Sequence, residues 1–194
     1  MRKWISSLAF VIGLALAAVN GLAAAAQEAG KTENDTFTKN EILDKARGFF
    51  GSTTQGLAQG IEKVFEDLGR PNAYITGEEF GGAVVVGLRY GRGEINRKVG
   101  RPTPVFWQGP SVGFDFGGNV AKVFTLVYNL RNTDEIFRRF PGVDGSLYVV
   151  AGISLNYQRA GGTTLAPIRT GVGLRAGANV GYLHYNREHS WVPF

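Results

Sequence analysis

"GPSVGFDFGGNVAKVFTLVYNLRN", Gly109–Asn132, sets a glycine every few residues ahead of a run of alternating large apolar groups. Such a cluster either cradles a phosphate or bends a sheet. A P-loop needs a Lys-Ser/Thr pair directly after its second glycine, at the start of a helix, and a dinucleotide fingerprint also opens a helix. Here Gly117-Gly118-Asn119-Val120 leads into the strand-like Val123–Tyr128 instead. The glycines belong to a sheet, and a nucleotide site is disfavoured.

Two neighbouring regions repeat the pattern. Gly81, Ala83, Val85, Gly87, Arg89 and Gly91 share one strand phase; Ser111, Gly113, Asp115, Gly117 and Asn119 share another; Gly171, Gly173, Arg175, Gly177, Asn179 and Gly181 share a third. The opposite phases are bulky, among them Val84, Val86, Leu88 and Tyr90, then Phe114 and Phe116, then Val172, Leu174, Val180 and Tyr182. Side chains alternate across a strand, so this phasing gives a sheet with one nearly bare face. Glycine weakens strands, and its repeated use needs sharp coiling, a bulge or close approach of another backbone. All three occur in small barrels. The pattern leaves open whether the bare faces point inward or whether the bulky faces form the core. "GLRYGRGEINRK" reads as a hairpin with Tyr90-Gly91-Arg92-Gly93 at its turn.

Upstream the period is helical. Thr38-Lys39-Asn40-Glu41 is a capping box, predicting a short helix to about Arg47. Ser52-Thr53-Thr54-Gln55 repeats the signal, and Leu57, Ile61, Val64, Phe65 and Leu68 fall on one stripe of a helix 53–68 that must dock on something. Gly69 and Pro71 stop it. Thr133-Asp134-Glu135 predicts a helical turn through Arg139, ended by Pro141-Gly142. The expected fold is mainly β (α+β): a small soluble antiparallel β-barrel with an N-terminal capping helix.

The chain of 194 residues begins Met1-Arg2-Lys3, continues with an apolar run from Trp4 to Val19 and reaches Ala24-Ala25-Ala26. This is an export signal with small residues at the −3 and −1 places. It predicts a signal peptide over 1–26, cleavage before Gln27, a flexible leader over 27–37 and one domain over 38–194. The expected location is the periplasm. There is no cysteine, so no disulfide staples the fold, and thiol chemistry is excluded. Residues 27–80 carry a net −4 and residues 81–194 a net +7. A basic body suits an anionic surface, which outside the cytoplasm is an acidic lipid or glycan rather than nucleic acid.

Catalytic patterns are missing. His184 and His189 have no serine elbow and no carboxylate cluster beyond Glu188. Glu78-Glu79 is the one paired carboxylate in the β region, but strand neighbours point to opposite sides, which defeats a glycosidase arrangement. Phe106, Trp107, Tyr128 and Trp191 read as core or turn packing, with a stacking patch as the alternative. Arg97-Lys98 with Arg101 reads as a solvated basic loop. No metal site and no cofactor are expected. Arg89, Asp115 and Arg175, with Asn119 and Asn179 in phase, form the candidate anion pocket: a guanidinium fork matches phosphate or carboxylate. An internal Arg89–Asp115 pair is the bland alternative, and Arg175 is the stronger ligand candidate.

"FFGSTTQGLAQGIEKVFEDLGRPNAYITGEEFGGAVVVGLRYGRGE", "FWQGPSVGFDFGGNVAKVFTLVYNL" and "LAPIRTGVGLRAGANVGYLHYN", with a terminal Pro-Phe, resemble the family of exported proteins typified by envelope integrity protein A. The resemblance covers nearly the whole mature chain. It implies a periplasmic protein of Gram-negative bacteria, a small barrel of about ten antiparallel strands capped by a helix, and a role in envelope integrity without an established reaction. A partial likeness of "GGAVVVGLRYG…PVFWQGPSVGFDFGGNVAKVFTLVYN" to SYLF lipid-binding domains sets a direction for the ligand. The expected function is non-enzymatic support of the envelope, by binding an anionic lipid or polysaccharide and with envelope proteins as further partners. The alternatives are an integral outer-membrane barrel, disfavoured by Pro193 and the soluble helix, and an envelope-remodelling enzyme.

Overall fold

Thr38 and Glu41 close the predicted capping box in the computed structural model. The Glu41 carboxylate accepts from the Thr38 amide at 2.7 Å, and Thr38 Oγ1 accepts from the Glu41 amide at 3.3 Å. Lys98 Nζ reaches the same carboxylate at 2.7 Å, and its hydrogen bond, with those from Thr38, holds the Glu41 carboxyl down to about 2. The structure describes residues 35–52, 55–144, 146, 148–150, 153–170 and 181–190, and the backbone alone for 81–86, 111–119, 150 and 170. The predicted signal segment, nearly all of the leader, Arg175, Asn179 and Trp191 lie outside the described residues, as do the side chains of Asp115 and Asn119.

Helix α1, Lys39–Phe50, runs one turn beyond its expected end and stops where Gly51 adopts φ 85° and donates to Arg47 O. Helix α2, Gln55–Leu68, stops at Gly69, φ 75°, whose amide donates to Phe65 O at 2.9 Å. Leu57, Ile61 and Val64 are buried, and Phe65 and Leu68 pack partly buried against the same cluster. What they cover is one outer face of a sheet: Tyr74, Phe124, Leu126, Tyr128, Ile153, Leu155, Ala166 and Ile168. Ile61→Ala is expected to cost about 2–5 kcal/mol, because the surrounding sheet cannot collapse into the gap. Urea unfolding checks this; a loss below about 0.5 kcal/mol would mean that the helix contact is not core.

Eight strands follow among the described residues: β1 Ala73–Arg97, β2 Thr103–Tyr128, β3 Arg139–Pro141, β4 Tyr148–Val150, β5 Ile153–Leu155, β6 Gln158–Ala160, β7 Thr163–Thr170 and β8 Tyr182–Asn186. All their pairings are antiparallel. β1 and β2 form one long hairpin, with a bulge between Gly81 and Ala83 where β2 carries the extra residues. Along its other edge β2 pairs β8 through Phe106–Gln108 and β7 through Val123–Tyr128. β7 pairs β6 and β5, β5 pairs β4, and β8 pairs β3. The antiparallel bridge Gly142↔Gln158 joins the end of β3 to β6. The path β2–β7–β6–β3–β8 thus returns to β2, giving the expected curled, barrel-like antiparallel sheet with helices against it.

The interior of this ring holds the second core: Ile75, Ile95, Val105, Trp107, Val123, Val127, Leu130, Ile136, Phe140, Leu165, Leu183 and Tyr185. Val123 and Val127 face it while Phe124, Leu126 and Tyr128 face the helices, which is the period of two at work. Two expectations are corrected. Tyr90-Gly91-Arg92-Gly93 is not a turn but lies within β1; the chain reverses at 98–102, where Gly100 takes φ 108°. The helical turn ends sooner than expected: a 3-10 turn spans Thr133–Ile136, capped by Asn132, and Arg139–Pro141 is strand, held by β8.

Candidate functional site: a carboxylate shared by two arginines

Three glycines of β1, Gly77, Gly91 and Gly93, are explained by what touches them. A Cβ on Gly91 would overlap Cε2, Cζ2 and Nε1 of Trp107, which stands opposite it on β2. A Cβ on Gly77 would overlap Arg92 O and lie 2.9 Å from Gly93 Cα. The two arms of β1 therefore meet backbone to backbone at Gly77 and Gly93, and the strand between them describes an arc. At Gly91 the bare phase points inward, onto the Trp107 indole. The bulky phase is not the floor beneath the helices at every position: Leu88 and Phe80, both on β1, are each 40% exposed.

Glu79 and Arg89 belong to the inward phase, and the arc brings them together. Arg89 Nε lies 3.1 Å from Glu79 Oε1. Arg169 of β7 donates from Nε to the same oxygen at 3.1 Å. Trp107 Nε1 donates to Oε2 at 3.0 Å. All three charged side chains are largely enclosed, at 5% exposure for Glu79, 16% for Arg89 and 12% for Arg169. Burial opposes ionisation of Glu79, but Arg169, Arg89 and the Trp107 and Arg169 hydrogen bonds outweigh it and hold the carboxyl below its ordinary range. Burial also pushes the Tyr185 phenol, packed against Trp107 at 5.8 Å between centroids, well above its usual value. The site is thus a desolvated ionic cluster in which two guanidinium groups share one carboxylate.

Of the residues expected from sequence, Arg89 lies in this cluster. The β2 backbone places Asp115 opposite Ala83 and Asn119 opposite Gly81, both within the arc. Glu79 and Arg169 were not foreseen as a pair, since they are 90 residues apart in sequence. The available signal was phase: Glu79 sits two residues from Gly77 and two from Gly81. As strand neighbours require, Glu78 points the other way, half-exposed, with Arg92 Nη2 at 3.5 Å. Trp107 and Tyr128 are core residues, and Phe106 packs edge-on to His189 at 5.9 Å. Among the described residues there is no group of three or more metal-ligating side chains, and no helix is long and apolar enough to cross a membrane.

No curated protein matches the chain. A solved structure does: a beta-barrel-like, uncharacterized protein from Brucella abortus, 45% identical, with a TM-score of 0.75, over 82% of this chain and 99% of that one. That likeness spans the barrel and agrees with the coiled antiparallel sheet found here. The family model described as envelope integrity protein A matches residues 35–194, which include both helices, all the described strands and the Glu79 cluster. The chain belongs to the envelope integrity protein A family, and with it to proteins with a role in the integrity of the cell envelope.

Proposed function

We propose that this protein is a non-enzymatic periplasmic module that holds the phosphate or carboxylate of an anionic envelope lipid or glycan inside the β1–β2 arc. One observation carries the reading: Arg89 and Arg169 bring two guanidinium groups to one point, nearly out of water, with a single carboxylate between them. Gathering and desolvating charged donors is the costly part of binding an anion, and here folding has already done it. An incoming phosphate or carboxylate would compete with Glu79 for donors fixed in place. Arg175, in phase with the glycines of 171–181, is the further cation assigned to the same ligand. The absence of a nucleophile–base pair around the described cluster supports binding rather than turnover.

Arg169→Met keeps most of the side chain's length and leaves Glu79 paired with Arg89, so the fold should survive. Binding to vesicles containing phosphatidylglycerol, or to acidic glycan fragments, should fall by roughly tenfold or more, the value of one to two charge-assisted hydrogen bonds. Arg175→Met should act in the same direction. Wild-type affinity in a folded Arg169→Met protein would refute the site, and release of a modified product from purified envelope material would refute the non-enzymatic reading.

A further inference from the structure

On the outside of the barrel, the β3–β6–β8 wall gathers three exposed arginines: Arg138 and Arg139 at the start of β3, and Arg159 on β6. The fold places them together. β3 pairs with β8 and bridges to β6 through Gly142↔Gln158. Phe140 and Gln158 are buried, so alternation turns Arg139 and Arg159 outward. Arg138 lies over the β6–β7 turn, where a Cβ on Gly161 would overlap its Nη1; Gly161 and Gly162 take φ 57° and 88°, leaving a side-chain-free seat for it.

Each guanidinium is oriented by an uncharged neighbour. The Arg139 guanidinium stands 5.1 Å from the centre of the Tyr182 ring. Arg159 Nε donates to Thr164 Oγ1 at 3.0 Å. No carboxylate lies within salt-bridge distance of Arg138, Arg139 or Arg159 among the described residues. Of the acids just before β3, Glu135 is engaged with Arg131 and Asp134 with Arg187. Three like charges on adjoining strands repel one another, and an external polyanion relieves that cost.

We infer that this wall binds an acidic polysaccharide, a chain carrying carboxylate or phosphate groups at intervals. A polymer is favoured over a bilayer because β8 presents Tyr182, His184 and Asn186 outward, half-buried and without an aliphatic side chain to insert. Of the exposed large apolar groups, Phe80, Leu88, Val120, Tyr148 and Val149 lie on β1, β2 and β4 and Val99 at the β1–β2 tip, which leaves the single small Val143 at the edge of this wall. An aromatic ring beside planar guanidinium groups suits a sugar face with an acidic substituent. The site is separate from the Glu79 cluster and does not depend on it.

The test uses polygalacturonate oligomers as the carboxylate probe, with titration calorimetry at low and high salt, and phosphatidylglycerol vesicles in parallel. The wild-type protein should bind the oligomers, more weakly as salt screens the charges. Arg138→Gln/Arg139→Gln/Arg159→Gln alters only exposed side chains and should fold. Exposed ion pairs contribute modestly one by one, so losing three should weaken oligomer binding by roughly tenfold. The folded triple variant should keep the vesicle binding that Arg169→Met loses, which separates this wall from the interior site. Undiminished binding by the folded triple variant would overturn the inference. So would wild-type protein that ignores the oligomers, and so would loss of vesicle binding in the folded triple variant, since that outcome assigns the wall to a membrane.

Discussion

Glu79→Gln should destabilise the protein by roughly 3–5 kcal/mol, the cost of removing one partner from a buried ionic cluster. The amide keeps the shape of the carboxylate but not its charge. Its nitrogen also presents hydrogens to a site where Arg89, Arg169 and Trp107 already donate. Two largely buried guanidinium groups would lose the carboxylate they share. The pH dependence gives an independent reading. The folded-state pKa of Glu79 is depressed from 4.5, so the folded protein binds this proton less readily than the unfolded chain. Its contribution to stability is therefore full above the ordinary carboxylate range and is lost as pH falls through the lower, folded value. Urea midpoints between pH 7 and pH 3 should show an acid-sensitive increment in the wild type that is missing in Glu79→Gln. Adding Arg169→Met to Glu79→Gln should recover part of the loss, because one uncompensated charge leaves with it. A variant as stable as the wild type at pH 7 would mean that the cluster is solvated and contributes nothing.

Gly77→Ala should be about as damaging. The added methyl meets Arg92 O and the Gly93 backbone, neither of which can rotate away. Overpacking commonly costs about 1–3 kcal/mol, and more where backbone must move; this position belongs to the second case. Gly91→Ala strikes the Trp107 indole, which is held by its hydrogen bond to Glu79 and by Tyr185. The two differ in their remedy. Gly91→Ala should be partly rescued by Trp107→Leu, which vacates the indole's space, whereas Gly77→Ala, which meets the indole's Cη2 as well, stays blocked by the Arg92 and Gly93 backbone. Gly48→Ala serves as the control: it lies in α1 with nothing within 4 Å, and should stabilise by about 0.5–1 kcal/mol through helix propensity. Thermal unfolding of the three glycine variants and of the two combinations with Trp107→Leu checks the order. A Gly77→Ala protein with wild-type stability would show that the arms of β1 do not touch.

What the sequence disclosed and what it withheld follow from the range of the interactions. The capping box at Thr38, the left-handed stop at Gly69, and the apolar stripe of α2 are local patterns, readable from neighbours within a few turns. The glycine phase is local too, and it identified a coiled sheet with Arg89 on its bare side. It could not separate a turn from a strand at Tyr90–Gly93, because a glycine spared for close packing looks the same as one spared for a turn. Glu79 meeting Arg89 requires that a strand curve back on itself, and its meeting Arg169 requires that β2 lie between β1 and β7. Neither is a spacing in the chain. The three arginines of the outer wall are separated for the same reason: Arg138-Arg139 and Arg159 become neighbours only through the Gly142↔Gln158 bridge.

The contact between Gly77 and Gly93 has a consequence for how the chain tolerates change in length. An ordinary hairpin can gain or lose a residue pair and remain a hairpin. In β1 the two points that touch lie on one strand, so the residues between them form a belt of fixed circumference. Removing two residues from the belt would preserve which side chains face inward and still pull Arg89 past Glu79. The tip at 98–102 is under no such constraint, so extra length belongs there and not in the belt.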